Sequence, residues 1–188
     1  MSQAGRCLAC AARPPRFRRL AAWRYNDVGR ALMAGLKQRA LYPLAAPLAA
    51  AAADLSGPDG ALLENFASTE LATAVPGHFL RRLLRGYNPA ALLAVPLAAS
   101  LNIPFHAGLL RRRTTGRQTG KSGAARRRIG RAFAAGSGAK LIRGRSILLI
   151  DDVETTGATL RAAALELKRL GAREVRAFTF FRVVDRNN

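Results

Sequence analysis

The segment 146–183 constrains the fold of this chain more than any other. Residues 146–150, Ser-Ile-Leu-Leu-Ile, make a β-branched and leucine run suited to a strand buried on both faces. A polar turn follows. Leu160, Ala163, Ala164, Leu167 and Leu170 then recur at helical spacing, and Gly171 stands where a helix commonly ends. Residues 175–183 read as a second strand. Strand, helix and strand within about forty residues form a βαβ unit, whose crossover is right-handed by general rule. Helical and strand patterns alternate along the chain, which predicts an α/β fold with a mainly parallel central sheet.

The turn inside this unit carries the chemistry. Asp151 and Asp152 end the first strand, and open α/β sheets bind ligands at that edge. Thr155-Thr156-Gly157-Ala158-Thr159 leads into the helix, whose first amide groups have no partner within it and whose dipole is positive there. Gly157 permits close approach and the three threonine hydroxyls add donors. Such a turn suits one phosphate monoester. Ionised carboxylates only accept hydrogen bonds, so Asp151 and Asp152 suit vicinal hydroxyls. A phosphate beside a diol describes a ribose 5-phosphate.

Elsewhere the pattern is plainer. Val28, Ala31, Leu32, Gly35 and Leu36 predict a helix capped by Asn26 or Asp27. Residues 44–55 predict an alanine-rich helix with Pro47 in its first turn, and 56–60 a loop. Residues 71–75 suit a buried strand running into Pro76-Gly77. Asn88 followed by Pro89 is a helix start, with Pro96 expected to kink or stop that helix before Leu101. Residues 103–110 suggest another strand. Residues 111–130 form a long basic loop, functional or mobile. Residues 1–20 show no sustained period, and no internal repeat is found.

A length of 188 residues suits one domain, with 49% hydrophobic and 22% charged residues. No apolar run reaches the roughly 20 residues of a membrane helix, so no membrane insertion is expected. Cys7 and Cys10 cannot make a disulfide scaffold, and no convincing signal peptide is seen, so a cytoplasmic location is expected. Lys and Arg number 31 against 11 acids; Lys37, Lys121, Lys140 and Lys168 are the lysines. No acid lies between Glu70 and Asp151, a stretch holding fifteen basic residues. So lopsided a segment repels itself unless anions sit against it, which implies a phosphate-rich partner.

The segment Asp151-Asp152-Val153-Glu154-Thr155-Thr156-Gly157-Ala158-Thr159 resembles the binding signature of the type I phosphoribosyltransferases. The likeness narrows with Val75-Pro76-Gly77-His78, Arg81-Arg82 and Arg85-Gly86-Tyr87-Asn88, which look like the Val-Pro-x-His, Arg-Arg and Arg-Gly-Phe-Asn stretches of the ComF family. Trp23, Tyr25 and the helix ending near Lys37 fit that family's amino-terminal region. Thr115, Gln118, Arg126-Arg127-Arg128 and Ala132-Phe133 fit its loop. Pro89, Lys121 and a shortening near Ile129 depart from its pattern.

The resemblance implies a type I phosphoribosyltransferase fold over residues 23–188, behind a tail or decayed zinc module at 1–22. It implies phosphoribosyl pyrophosphate as ligand, bound with Mg²⁺. Asp151 and Asp152 would grip the ribose hydroxyls as the catalytic pair. Glu154, Thr155, Thr156, Gly157, Ala158 and Thr159 would form the 5-phosphate turn, in which Glu154 replaces a more usual apolar or neutral residue. Val75, Pro76, Gly77, His78, Arg81, Arg82 and Arg85 would meet the diphosphate. ComF proteins commonly carry a four-cysteine zinc module; with two cysteines and tetrahedral zinc needing four ligands, no zinc is expected here. His78 and His106 are read as pocket and core residues.

No segment reads as a hood for an accepting base. The ComF family is linked to competence and DNA uptake, so three roles stand open: a transferase, a sensor of the pyrophosphate sugar working with another subunit, or a factor binding single-stranded DNA. The basic stretch lacks aromatic stacking platforms between His106 and Arg131, which counts against the last without removing it. A homodimer is left open.

Overall fold

A computed structural model describes residues 17–38, 41–57, 60–61, 66–77, 86–113 and 132–184. In chain order its elements are β1 (Arg19–Arg24), α1 (Asp27–Gln38), a 3-10 turn (Tyr42–Leu44) and α2 (Ala45–Ala53). After them come β2 (Ser56–Gly57), β3 (Gly60–Ala61), β4 (Leu71–Ala74), α3 (Pro89–Ser100) and β5 (Leu110–Arg112). Last are β6 (Phe133–Ala135), a second 3-10 turn (Ala139–Leu141), β7 (Ser146–Glu154), α4 (Ala158–Arg169) and β8 (Glu174–Arg182). The expected α/β architecture with a parallel central sheet is what the chain adopts.

That sheet runs β1-β8-β7-β4, every pairing parallel. Its centre is β7, buried on both faces as expected. Ile147 and Leu149 pack toward Leu160, Ala163 and Leu167 of α4. Leu148 and Ile150 pack the other way, toward Met33 and Leu36 of α1, Ala49 of α2, and Leu93 and Leu97 of α3. All four β7 side chains are fully buried. Burial of each stabilises the fold by about 1.5–3 kcal/mol.

The structure corrects several local expectations. β7 runs to Glu154 rather than stopping at Ile150, so both aspartates lie within the strand. β1 takes residues that show no period in the sequence, and it closes the β8 edge from Arg19↔Ala177 to Arg24↔Arg182. Residues 103–110 supply only a single parallel bridge, Ala72↔Phe105, and the strand forms later, at β5. The loop at 56–60 is pinched into a short ladder, Ser56↔Ala61 and Gly57↔Gly60.

Helix α3 runs through Pro96 to Ser100 without stopping. Its Leu93, Ala94, Leu97 and Ala98 are buried, and that burial outweighs the one backbone bond proline removes. Helix α1 faces the core with Gly29, Met33, Gly35 and Leu36, whereas Val28 is 66% exposed. Gly29 sets this phase: a Cβ there would stand 2.8 Å from the Phe181 ring, so the helix approaches β8 closely at that point. The basic stretch begins and ends as an antiparallel pair, β5 with β6; residues 114–131 between them lie outside the described residues.

Candidate functional site

The carboxyl ends of β4 and β7 stand side by side, because Val75 N–H donates to the Ile150 carbonyl at 2.8 Å. This brings the residues after β4 next to the acid pair. Asp151 and Asp152 are both half-buried. The Asp152 N–H donates to Asp151 Oδ1 at 3.0 Å, and the Val153 N–H to Asp152 Oδ1 at 2.8 Å. Burial, and then the Asp152 charge beside it, push the Asp151 carboxyl well above the usual carboxylate range. The Asp151 carboxyl is therefore short of positive charge.

Lys37 supplies some of it. From the last turn of α1 its Nζ reaches Asp152 Oδ2 at 2.5 Å, with the lysine side chain 28% and the aspartate 15% exposed. Sequence reasoning used Lys37 only to mark a helix end. The pairing joins residues far apart in the chain, and only the packing of α1 over β7 reveals it.

Beyond the acids the chain turns into α4. Gly157 is the N-cap in the left-handed region, φ 69°, and no side chain caps the helix. Apart from Ala158 N–H, which Thr156 takes up, its first amides are left for a ligand or solvent. Thr155, Thr156 and Thr159 are exposed. Thr156 shapes the bend: its hydroxyl accepts from Ala158 N–H at 3.4 Å and its carbonyl from Arg161 Nη2 at 2.8 Å. The recess between Asp151 and the turn, lined also by Thr155, Gly157 and Thr159, holds only about 20 Å³, the size of a water.

Glu154 does not join that face. It is 5% exposed, and its carboxylate turns inward to accept from Arg19 Nη1 at 2.5 Å and Arg182 Nε at 2.8 Å. The resemblance grouped Glu154 with the residues of the 5-phosphate turn; in the structure its carboxylate is engaged by the two arginines. Neither arginine was singled out from the sequence, Arg19 because it precedes the first recognisable period and Arg182 because it read as a strand residue.

A second concavity of about 370 Å³ opens beside β4, lined by Pro76, Gly77, Asn88, Gly108, Arg111 and Arg112 among others. Asn88 is the N-cap residue of α3, as expected, with Pro89 in the first turn; its side chain does not bond the helix, and its Nδ2 donates to the Val75 carbonyl at 2.9 Å, tying the turn after β4 to the helix. Arg111 Nε donates to the Ala135 carbonyl at 3.1 Å, and the Arg112 guanidinium lies 5.5 Å from the Phe133 ring centre. Both arginines are therefore held on the β5–β6 pair at the rim of this cavity. His106 is half-buried, its Nδ1 accepting from Gly108 N–H at 3.1 Å. His78, Arg81, Arg82 and Arg85 lie outside the described residues, as do Cys7 and Cys10.

The phosphoribosyl transferase domain model matches residues 88–187, more than half of the chain. This chain belongs to the phosphoribosyl transferase domain family. The matched span includes β7, the Thr/Gly turn and α4. Across 111 residues the chain is 34% identical to Competence protein F of Haemophilus influenzae, covering 58% of this chain and 48% of that protein. The chain thus matches about half the length of this curated relative. Glutamine phosphoribosylpyrophosphate amidotransferase from B. subtilis aligns at TM-score 0.46 and 20% identity, over 73% of this chain and 25% of that one. Adenine phosphoribosyltransferase from Thermoanaerobacter pseudethanolicus aligns at TM-score 0.41 and 14% identity, over 78% and 83%.

Proposed function

We propose that this chain binds phosphoribosyl pyrophosphate at the carboxyl edge of β4 and β7 and transfers its phosphoribosyl group to an acceptor. One observation carries the reading: an acid pair near a strand end is joined directly to an exposed Thr/Gly turn that enters a helix through a glycine cap with no side chain of its own to bond the helix amides. Asp151 and Asp152 take the ribose hydroxyls, with Lys37 holding the Asp152 carboxylate in place. The turn from Thr155 to Thr159 takes the 5-phosphate. Pro76, Gly77, Arg111 and Arg112 line the place for the diphosphate, with His78, Arg81, Arg82 and Arg85 assigned to the same end from the sequence.

The chemistry asks for little covalent participation by the protein. As the sugar C1–oxygen bond to diphosphate breaks, the bonding pair leaves with the diphosphate and an acceptor lone pair forms the new bond to C1. The chain's part is to hold both ends of the sugar, meet the departing charge with arginine forks and exclude water. Asp151 and Asp152 are neighbouring hard oxygen donors at one strand end, and so suit Mg²⁺, which when bound would neutralise charge on the diphosphate. We place the chain in competence, the process named in its Haemophilus relative Competence protein F, on the strength of the shared sequence, with DNA uptake as the role the ComF resemblance implies.

Pyrophosphate release in the presence of Mg²⁺, screened across a panel of bases and amines, tests this directly. Turnover with one acceptor is the expected result. Binding of the pyrophosphate sugar with no turnover across the panel would make the chain a sensor.

A second reading, nucleic-acid binding, is favoured by one feature. Lys140, Arg143 and Arg145 stand exposed just before β7, at the end of the sheet opposite Asp151 and Asp152. Single-stranded DNA affinity that falls steeply with salt and survives loss of the acid pair supports this second surface.

A further inference from the structure

The cluster beneath the phosphate turn holds more charge than its own balance requires. Glu154 ends β7 in register with Arg182 of β8 and is buried. A buried carboxylate is costly unless paired and hydrogen-bonded. One guanidinium would satisfy it, yet two are gathered, Arg19 on Oε1 and Arg182 on Oε2. Two cations on one anion leave an excess of one positive charge.

That excess lies against the turn itself. A Cβ added to Gly157 would stand 2.6 Å from Arg19 Nη1 and 2.6 Å from Glu154 Oε1. Arg182 Nη2 is also buried with no hydrogen-bond partner among the described residues, so part of this charge is not spent locally. The Arg19 guanidinium lies 5.9 Å from the Phe17 ring centre, a further contact for its plane. An acid alone at position 154 would repel a phosphate on the turn above it. Here the repulsion is overcompensated.

We propose that Arg19 and Arg182, assembled on the Glu154 carboxylate, are specificity-determining positioning residues that back the phosphate turn with net positive charge and make it select a phosphate monoester dianion. This rests on the reading of the turn as the 5-phosphate site. The cluster touches the turn from beneath, and it acts through the field it sets at the outward-facing amides rather than by direct contact with the sugar.

The test is calorimetric titration of the full chain with ribose 5-phosphate, using ribose as the uncharged control. R19Q removes the excess charge and is expected to weaken ribose 5-phosphate about fivefold, as for one charge about 8 Å from a dianion in a water-like dielectric. R19K keeps the charge and should bind as the wild type does. E154Q adds to the excess and should bind as tightly or more tightly. R19Q/E154Q restores the original balance and should return to near wild-type affinity. Ribose affinity should not move in any of them.

A cluster that is only a scaffold would weaken binding in both single variants and most in the double. That pattern overturns the proposal, as does unchanged affinity in R19Q. A lowered melting temperature in R19Q is read against R19K and the double variant, which keep the charge balance. If the wild type itself fails to bind ribose 5-phosphate, the assignment of the turn fails first, and this inference falls with it.

Discussion

At the scale of single residues, Asp151 sets stability against the role proposed for it. Its carboxyl ionises reluctantly because it is buried and stands beside Asp152. A group whose folded pKa lies above its unfolded value gives no penalty at low pH. The penalty grows as pH rises from the ordinary carboxylate range through the raised value, where only the unfolded chain ionises freely. Asp151→Asn should therefore raise the melting temperature of the ligand-free protein at neutral pH. The gain should shrink as pH falls toward the ordinary carboxylate range, and thermal scans across pH check it. The same substitution should weaken binding of the pyrophosphate sugar. Gly157 works in the opposite sense. Its φ of 69° and the 2.6 Å approach of Arg19 and Glu154 leave no room for a side chain. Gly157→Ala should destabilise by about 2 kcal/mol or more in chemical denaturation.

At the scale of elements, α3 carries a removable defect. Pro96 sits inside a buried helix and deprives the Leu92 carbonyl of its partner. Pro96→Ala should raise stability by about 1 kcal/mol, less than the full helix-interior penalty because the helix has already adapted to proline. A denaturation midpoint that falls would show that the ring is needed for packing. What was legible in the sequence also divides by element. The unit β7–α4–β8 was readable because its strand composition, helical spacing and Gly171 all lie close together in the chain. The strand β1 was not, because its edge position leaves Leu20, Ala21, Ala22 and Trp23 all half-buried, and no alternation marks it. The phase of α1 was misjudged because Gly29 looks neutral in sequence, while the close approach to Phe181 that decides the phase is a tertiary contact. Asp151, Asp152 and the Thr/Gly turn were legible from a contiguous motif. Lys37, Arg19 and Arg182 reach the site through side-chain pairing across elements, which no local pattern records.

At the scale of the whole molecule, charge dominates. A formal net charge of +20 over 188 residues favours expansion of the chain through self-repulsion, and bound anions relieve it. The melting temperature should rise as salt increases from about 20 to about 200 mM, over which the screening length shortens severalfold. If the turn binds phosphate as proposed, inorganic phosphate should raise it further than chloride at equal ionic strength. Equal effects of the two salts would mean that the charge is screened without specific occupancy. Opposing this repulsion is the apolar sandwich on both faces of β7, which fixes the two sheet ends relative to each other. The acids and the phosphate turn occupy one end, while Lys140, Arg143 and Arg145 occupy the other. The two proposed surfaces are thus separable by mutation.

The central claim is that a ribose 5-phosphate group is held between Asp151, Asp152 and the turn from Thr155 to Thr159. Calorimetric titration of phosphoribosyl pyrophosphate with Mg²⁺ into the wild-type chain and into Asp151→Asn/Asp152→Asn tests it most directly. Saturable binding to the wild type, lost in the folded double variant, is the predicted result. Equal heats and affinities in the two proteins would contradict it.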